Sequence, residues 1–105
     1  MSKIAELNDR FRTTFTGGRV VMTATFASLP EATKAKVLET VRTFSTFTPD
    51  NDPYSERDLA IFEVDGERFM FKIDYFDKTM TFGSEDPANP DVTLRVLTIM
   101  LASDY

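Results

Sequence analysis

The chain has 105 residues, the length of one domain, with 42% apolar residues, ten Phe and three Tyr, enough for a modest core. It contains neither Cys nor His. This excludes a disulfide framework, a thiolate zinc site and all Ser-His-Asp or Cys-His chemistry, and leaves any catalysis to carboxylates, Lys, Tyr or a cofactor. The net charge of −5 is uneven: residues 1–49 carry +3, residues 50–91 carry −8, and residues 92–105 are neutral.

Ile4, Leu7 and Phe11 recur at helical spacing behind a capping Ser2, so a helix is expected over Lys3–Thr14, ended by the Gly17-Gly18 pair. The N-terminal segment has charges throughout and no apolar stretch of the secretory kind, and the absence of Cys fits a reducing, cytoplasmic location. "RVVMTATFA" alternates, with Val20, Met22, Ala24 and Phe26 on one face, and reads as a strand. Ser28 and Glu31 have capping-box spacing around Pro30, and Ala32, Ala35, Val37, Leu38, Val41 and Phe44 form an apolar stripe, so a second helix is expected over Leu29–Phe44.

The segment "FTPDNDPYSERD" from Phe47 to Asp58 follows. As a calcium loop starting at Asp50, it matches two of five required positions, because Tyr54, Ser55 and Ile61 stand where a third oxygen ligand, the glycine and the glutamate belong. Asx-turns around Pro49 and Pro53 are the preferred reading. Asp65-Gly66 between two alternating runs is a hairpin signal. In the second run, Phe69, Phe71, Ile73 and Tyr75 share one face; Met70, Lys72, Asp74 and Phe76 share the other, half-solvated face. After a turn at Asp77-Lys78, "TMTFG" reads as a short third strand of the meander, and "SEDPANP" as a second acidic loop.

Asn89-Pro90-Asp91 is a helix-start pattern, and Val92, Leu94, Val96, Leu97, Ile99, Met100 and Leu101 would cover a following helix on nearly all sides. Such a helix is expected to lie between sheet and helix, with a homodimer interface as the alternative. The expectation is therefore an α+β domain over residues 1–105. Its mostly antiparallel meander sheet of about four strands packs against helices, including a strongly apolar C-terminal one.

Four separated stretches, "TPDNDPYSERDLAIF", "KIDYFD", "GSEDPANP" and "TLRVLTIMLASDY", resemble a small bacterial domain family of unknown function, frequent in alphaproteobacteria and on mobile DNA. The family pattern is roughly NDPYGEHDFG, KIDYYD, GSPDPADP and TRVLTIMLAEEY. Ser55 stands at its glycine, Arg57 at its histidine, and Leu59-Ala60 at its Phe-Gly. Loss of that histidine favours binding over any chemistry it served in relatives.

Glu56 with Asp58 is the carboxylate pair an acid-base enzyme would need, but register control and solvated charge explain such pairs on strand edges more often. Carboxylates can also occupy the Arg and Lys groups that otherwise bind phosphate. The functional expectation is a small acidic protein without enzymatic activity or cofactor. It would dock on a protein partner with a basic, nucleic-acid-binding surface, as an anti-CRISPR or anti-restriction inhibitor of a CRISPR or restriction complex would, with no direct nucleic-acid or membrane contact. The expected partner-binding residues are Asp50, Asp52, Tyr54, Glu56, Asp58, Asp74, Asp77, Glu85 and Asp86. The alternative is a carboxylate-based, metal-dependent enzyme or its degenerate descendant. Phe69, Phe71, Tyr75 and Phe76 are read as core rather than as a base-stacking platform, because the hairpin around them is acidic.

Overall fold

The computed structural model describes residues 1–105. Helix α1 spans Lys3–Thr14, with the Ser2 hydroxyl accepting from the Ala5 N–H at 3.1 Å. Its buried stripe is Ala5, Asn8, Phe11 and Arg12, one position round from the expected one, so that two polar side chains enter the interior. Strand β1 is only Arg19–Met22. The expected longer strand is interrupted because the Thr23 side chain accepts from the Phe26 N–H at 3.3 Å and starts a one-turn helix, α2, at Ala24–Ala27. That turn places Phe26 edge-on against Phe69, with ring centroids 6.0 Å apart.

Helix α3 spans Glu31–Thr43. No capping box forms: Pro30 is the cap, without a side-chain hydrogen bond, and the Ser28 hydroxyl donates to Thr25 O at 2.7 Å instead. Val37 and Val41 are its buried residues. Strands β2 (Leu59–Val64) and β3 (Glu67–Phe76) form the expected hairpin. Asp65 and Gly66 take φ of 51° and 83°, the double positive φ that a tight two-residue turn needs. "TMTFG" contributes only an isolated bridge, Phe76 to Gly83, and is not a strand.

The largest correction concerns the C-terminal segment. Leu94–Leu101 is a strand, β4, followed by a short 3-10 turn at Ala102–Asp104, and no C-terminal helix exists to form a homodimer interface. The strand order is β1-β4-β3-β2. β4 pairs antiparallel with β3 and parallel with β1, so β2, β3 and β4 form an antiparallel meander, and the parallel β1 makes the sheet mixed. A central strand is covered on both faces and therefore reads as a nearly continuous apolar run. Periodicity alone does not separate such a run from a buried helix.

One sheet face carries Leu97, Ile99, Phe69, Phe71, Ile73 and Ala60, which pack with Phe11, Phe26, Val37 and Val41 into the core. Each fully buried Phe stabilises the fold by roughly 1.5–3 kcal/mol. The close seating of α1 on the sheet depends on Gly18, where a Cβ would lie 2.5 Å from Arg95 O and 2.7 Å from the Phe11 ring.

Candidate functional site

The strand directions bring together two segments that are remote in sequence. β2 begins, β3 ends and β4 begins at the same end of the sheet. Residues 48–58, which lead into β2, and residues 77–93, which connect β3 to β4, therefore emerge side by side. Together these segments hold eight acidic residues, Asp50, Asp52, Glu56, Asp58, Asp77, Glu85, Asp86 and Asp91, against Arg57 and Lys78, a balance of −6 in a chain of −5.

A buried polar chain ties the two loops together. Asn8, on α1, donates through Nδ2 to the Tyr75 hydroxyl (2.7 Å) and to Glu56 O (3.0 Å). The Tyr75 hydroxyl donates to Glu56 Oε1 at 2.8 Å. Asn8 Oδ1 accepts from Arg95 Nε at 2.9 Å, and Arg95 also donates to Pro87 O in the second loop. The Arg95 guanidinium lies 5.2 Å from the Tyr75 ring centroid. Burial pulls the Arg95 pKa below its usual value, opposed by the nearby Tyr75 and Glu56. Burial, and then the hydrogen bond to Glu56, push the Tyr75 pKa far above that of a free phenol, so Tyr75 stays neutral and donates.

A second cluster shapes the first loop. Asp9 bridges Arg12 (2.9 Å) and Arg57 (3.0 Å), and both guanidinium groups stack on Phe47, at 5.3 and 5.1 Å from the ring centroid. Arg12 also donates to Val41 O and Phe44 O, while its Nε is buried without a partner. A shallow concavity of about 510 Å³ lies beside this cluster, lined by Met1, Phe47, Pro49, Asp52, Ser55 and Arg57 among others.

The nine expected partner-binding residues separate by what each side chain already holds. Asp52 is 8% exposed, and its carboxylate accepts from the Glu56 N–H (3.0 Å) and the Arg57 N–H (3.1 Å). It therefore fixes the turn in which Ser55 and Arg57 both take φ of 56°. Glu56 serves the buried chain, and Asp74 pairs with Lys72 on the other sheet face. Asp58 is half-buried; burial, and more weakly the carboxylates of Glu56, Asp52 and Asp74, raise its pKa, against a smaller opposing effect of its own N–H.

Asp77 accepts from the Thr79 hydroxyl and the Thr79 and Thr81 N–H groups, which hold its carboxyl below the usual range. Asp50, Tyr54, Glu85 and Asp86 are exposed, Tyr54 by 83%. None of the eight loop acids is in an ion pair, since the five salt bridges use Asp9, Glu31, Asp65 and Asp74. No group of three or more His, Cys, Asp or Glu side chains is placed to hold a metal ion.

The profile of a family described as "Protein of unknown function (DUF3768)" matches residues 22–104. The chain belongs to this family. No curated protein and no solved structure matches the chain. The DUF3768 match includes β2, β3, β4 and both acidic loops, begins at Met22, the last residue of β1, and leaves out α1, which supplies Asn8, Asp9 and Arg12 to the clusters described above. Sequence reasoning missed those three and Arg95. The signals were present: Asn8 and Arg12 follow Ala5 at the helical spacings of three and seven residues, and Arg95 interrupts an otherwise apolar run.

Proposed function

We propose that the protein is a non-enzymatic acidic binding module that docks on a basic protein surface. In its sharpest form that surface is one with which the partner otherwise binds nucleic acid, as for an anti-CRISPR or anti-restriction inhibitor. The observation that carries the reading is the gathering of eight carboxylates, none ion-paired, on two adjacent loops at one end of the sheet. Their uncompensated field attracts cationic surfaces, orients the approach and repels nucleic acid itself.

The metal-dependent enzyme reading has one observation in its favour, the raised pKa of Asp58 beside Glu56. Against it, Glu56 is occupied by Tyr75, and neither carboxylate lines the largest concavity. The test is affinity capture from a bacterial lysate with the wild type and with an Asp50→Lys/Glu85→Lys/Asp86→Lys variant. The reading expects a captured nucleic-acid-binding protein whose DNA binding the wild type displaces and the variant does not. Equal capture by both, or capture indifferent to salt, overturns it.

A further inference from the structure

The second acidic loop presents apolar surface as well as charge. Phe82 is 72% exposed, Val92 42% and Met80 40%. Phe82 and Val92 line a concavity of about 270 Å³ whose other walls are Asp77, Gly83 and Glu85. Both charged residues of the lining are acids.

The loop around Phe82 is held in place. The Asp77 N–H donates to Phe82 O at 2.8 Å, the Met80 N–H donates to Asp77 O at 3.0 Å, and the Ser84 N–H donates to Tyr75 O at 3.0 Å. The Ser84 and Thr93 hydroxyls are 2.6 Å apart, and Thr93 also donates to Asp86 O at 2.8 Å, closing the far side. Phe82 therefore faces water from a fixed backbone rather than from a loose tail. A rigid exposed aromatic is a low-entropy anchor for association.

We infer that this concavity is the docking point for one apolar side chain of a partner protein, carried on a segment with Lys or Arg on either side. The apolar side chain lies against Phe82 and Val92, and the flanking cations meet Asp77 and Glu85. Charge complementarity selects this occupant: an acidic or neutral apolar segment meets uncompensated carboxylates on both walls. The Thr79 and Thr81 donors on the Asp77 carboxylate favour its charged form. The inference rests on the acidic-docking reading and adds the apolar contact and its location.

The test uses two synthetic peptides, one with a central Trp between lysine pairs and one with Ser replacing the Trp. Each is titrated into isotope-labelled protein at low salt, with amide shifts recorded for the wild type and for Phe82→Ser. The Trp peptide is expected to move the Gly83, Glu85 and Val92 amides and to bind at least tenfold more tightly than the Ser peptide, with that advantage lost in Phe82→Ser. If both peptides bind equally, or Phe82→Ser leaves the advantage intact, the inference is wrong and the acidic-docking reading stands. If neither peptide binds at low salt, the acidic-docking reading itself fails. Concentration-dependent dimerisation of the wild type that Phe82→Ser abolishes assigns the site to a second copy and also overturns the inference. Circular dichroism verifies that Phe82→Ser is folded.

Discussion

Asp52 separates the structural from the binding role of the first acidic loop. Its carboxylate is the acceptor for two successive backbone N–H groups, at 3.0 and 3.1 Å, in a residue 8% exposed. Replacing Asp52 by Ala removes both acceptors and leaves the two donors facing a small void. Hydrogen bonds to a charged acceptor contribute about 1.5–3 kcal/mol each in such settings, and water entering the void recovers part of that. The expected loss is about 3 kcal/mol for Asp52→Ala and about half that for Asp52→Asn, which keeps one acceptor oxygen. For a domain of this size, 3 kcal/mol lowers the melting temperature by roughly 12–24 °C. The assay is urea denaturation with matched thermal melts of the wild type, Asp52→Asn, Asp52→Ala and Asp50→Ala, the last being exposed and expected to stay within about 0.5 kcal/mol of the wild type. The reasoning is refuted if Asp52→Ala is as stable as Asp50→Ala, because the Glu56 and Arg57 amides then need no carboxylate.

Other outcomes follow from the same geometry. Ser55→Gly should raise stability by about 0.5–1 kcal/mol in denaturant titration, because Ser55 holds φ of 56° with no side-chain hydrogen bond to lose. Gly18→Ala should cost about 1–3 kcal/mol in the same assay, since the added methyl meets the Arg95 carbonyl and the Phe11 ring and neither can move freely. Tyr75→Phe should cost about 1–2 kcal/mol and shift the amide resonances of both acidic loops, because the hydroxyl joins Asn8 to Glu56. Asp58 and Asp77 should show opposite pH linkage. The raised folded pKa of Asp58 makes its ionisation a destabilising contribution at neutral pH, which is relieved as pH falls through that pKa toward the unfolded value of about 3.9. The lowered pKa of Asp77 gives a stabilising contribution present above about pH 3.9 and lost as pH falls through its folded value. Carboxyl-carbon NMR titration should place the Asp58 midpoint above, and the Asp77 midpoint below, that of an unstructured peptide.

Much of the fold was legible where local chemistry decides it. Ser2 announced α1, and Asp65-Gly66 announced the hairpin, because capping and positive φ are properties of a few neighbouring residues. β4 was not legible. Asn89, Pro90 and Asp91 do form a turn, with the Asp91 N–H bonded to Asn89 Oδ1 at 2.9 Å, yet the chain leaves it extended. Only the placement of β1 and β3 on either side makes Leu94–Leu101 a central strand, and that information is tertiary. The acidic loops were recognised as a group, but the same letters stand for different duties: Asp52 and Asp77 organise their own turns, while Asp50 and Glu85 face solvent. Side-chain burial, which composition does not encode, separates them.

The position of β4 also governs how the chain acquires its structure. β1 and β3 do not touch except through β4, which is made after both. Until Leu94–Leu101 is available, β1 has no hydrogen-bonding neighbour, and the inner edge of β3 is an open ladder. Pairings across such long separations are slow to form. A chain shortened before Leu94 lacks the strand that joins β1 to β3, so it is expected to expose an open, aggregation-prone β3 edge instead of forming a smaller version of the same domain.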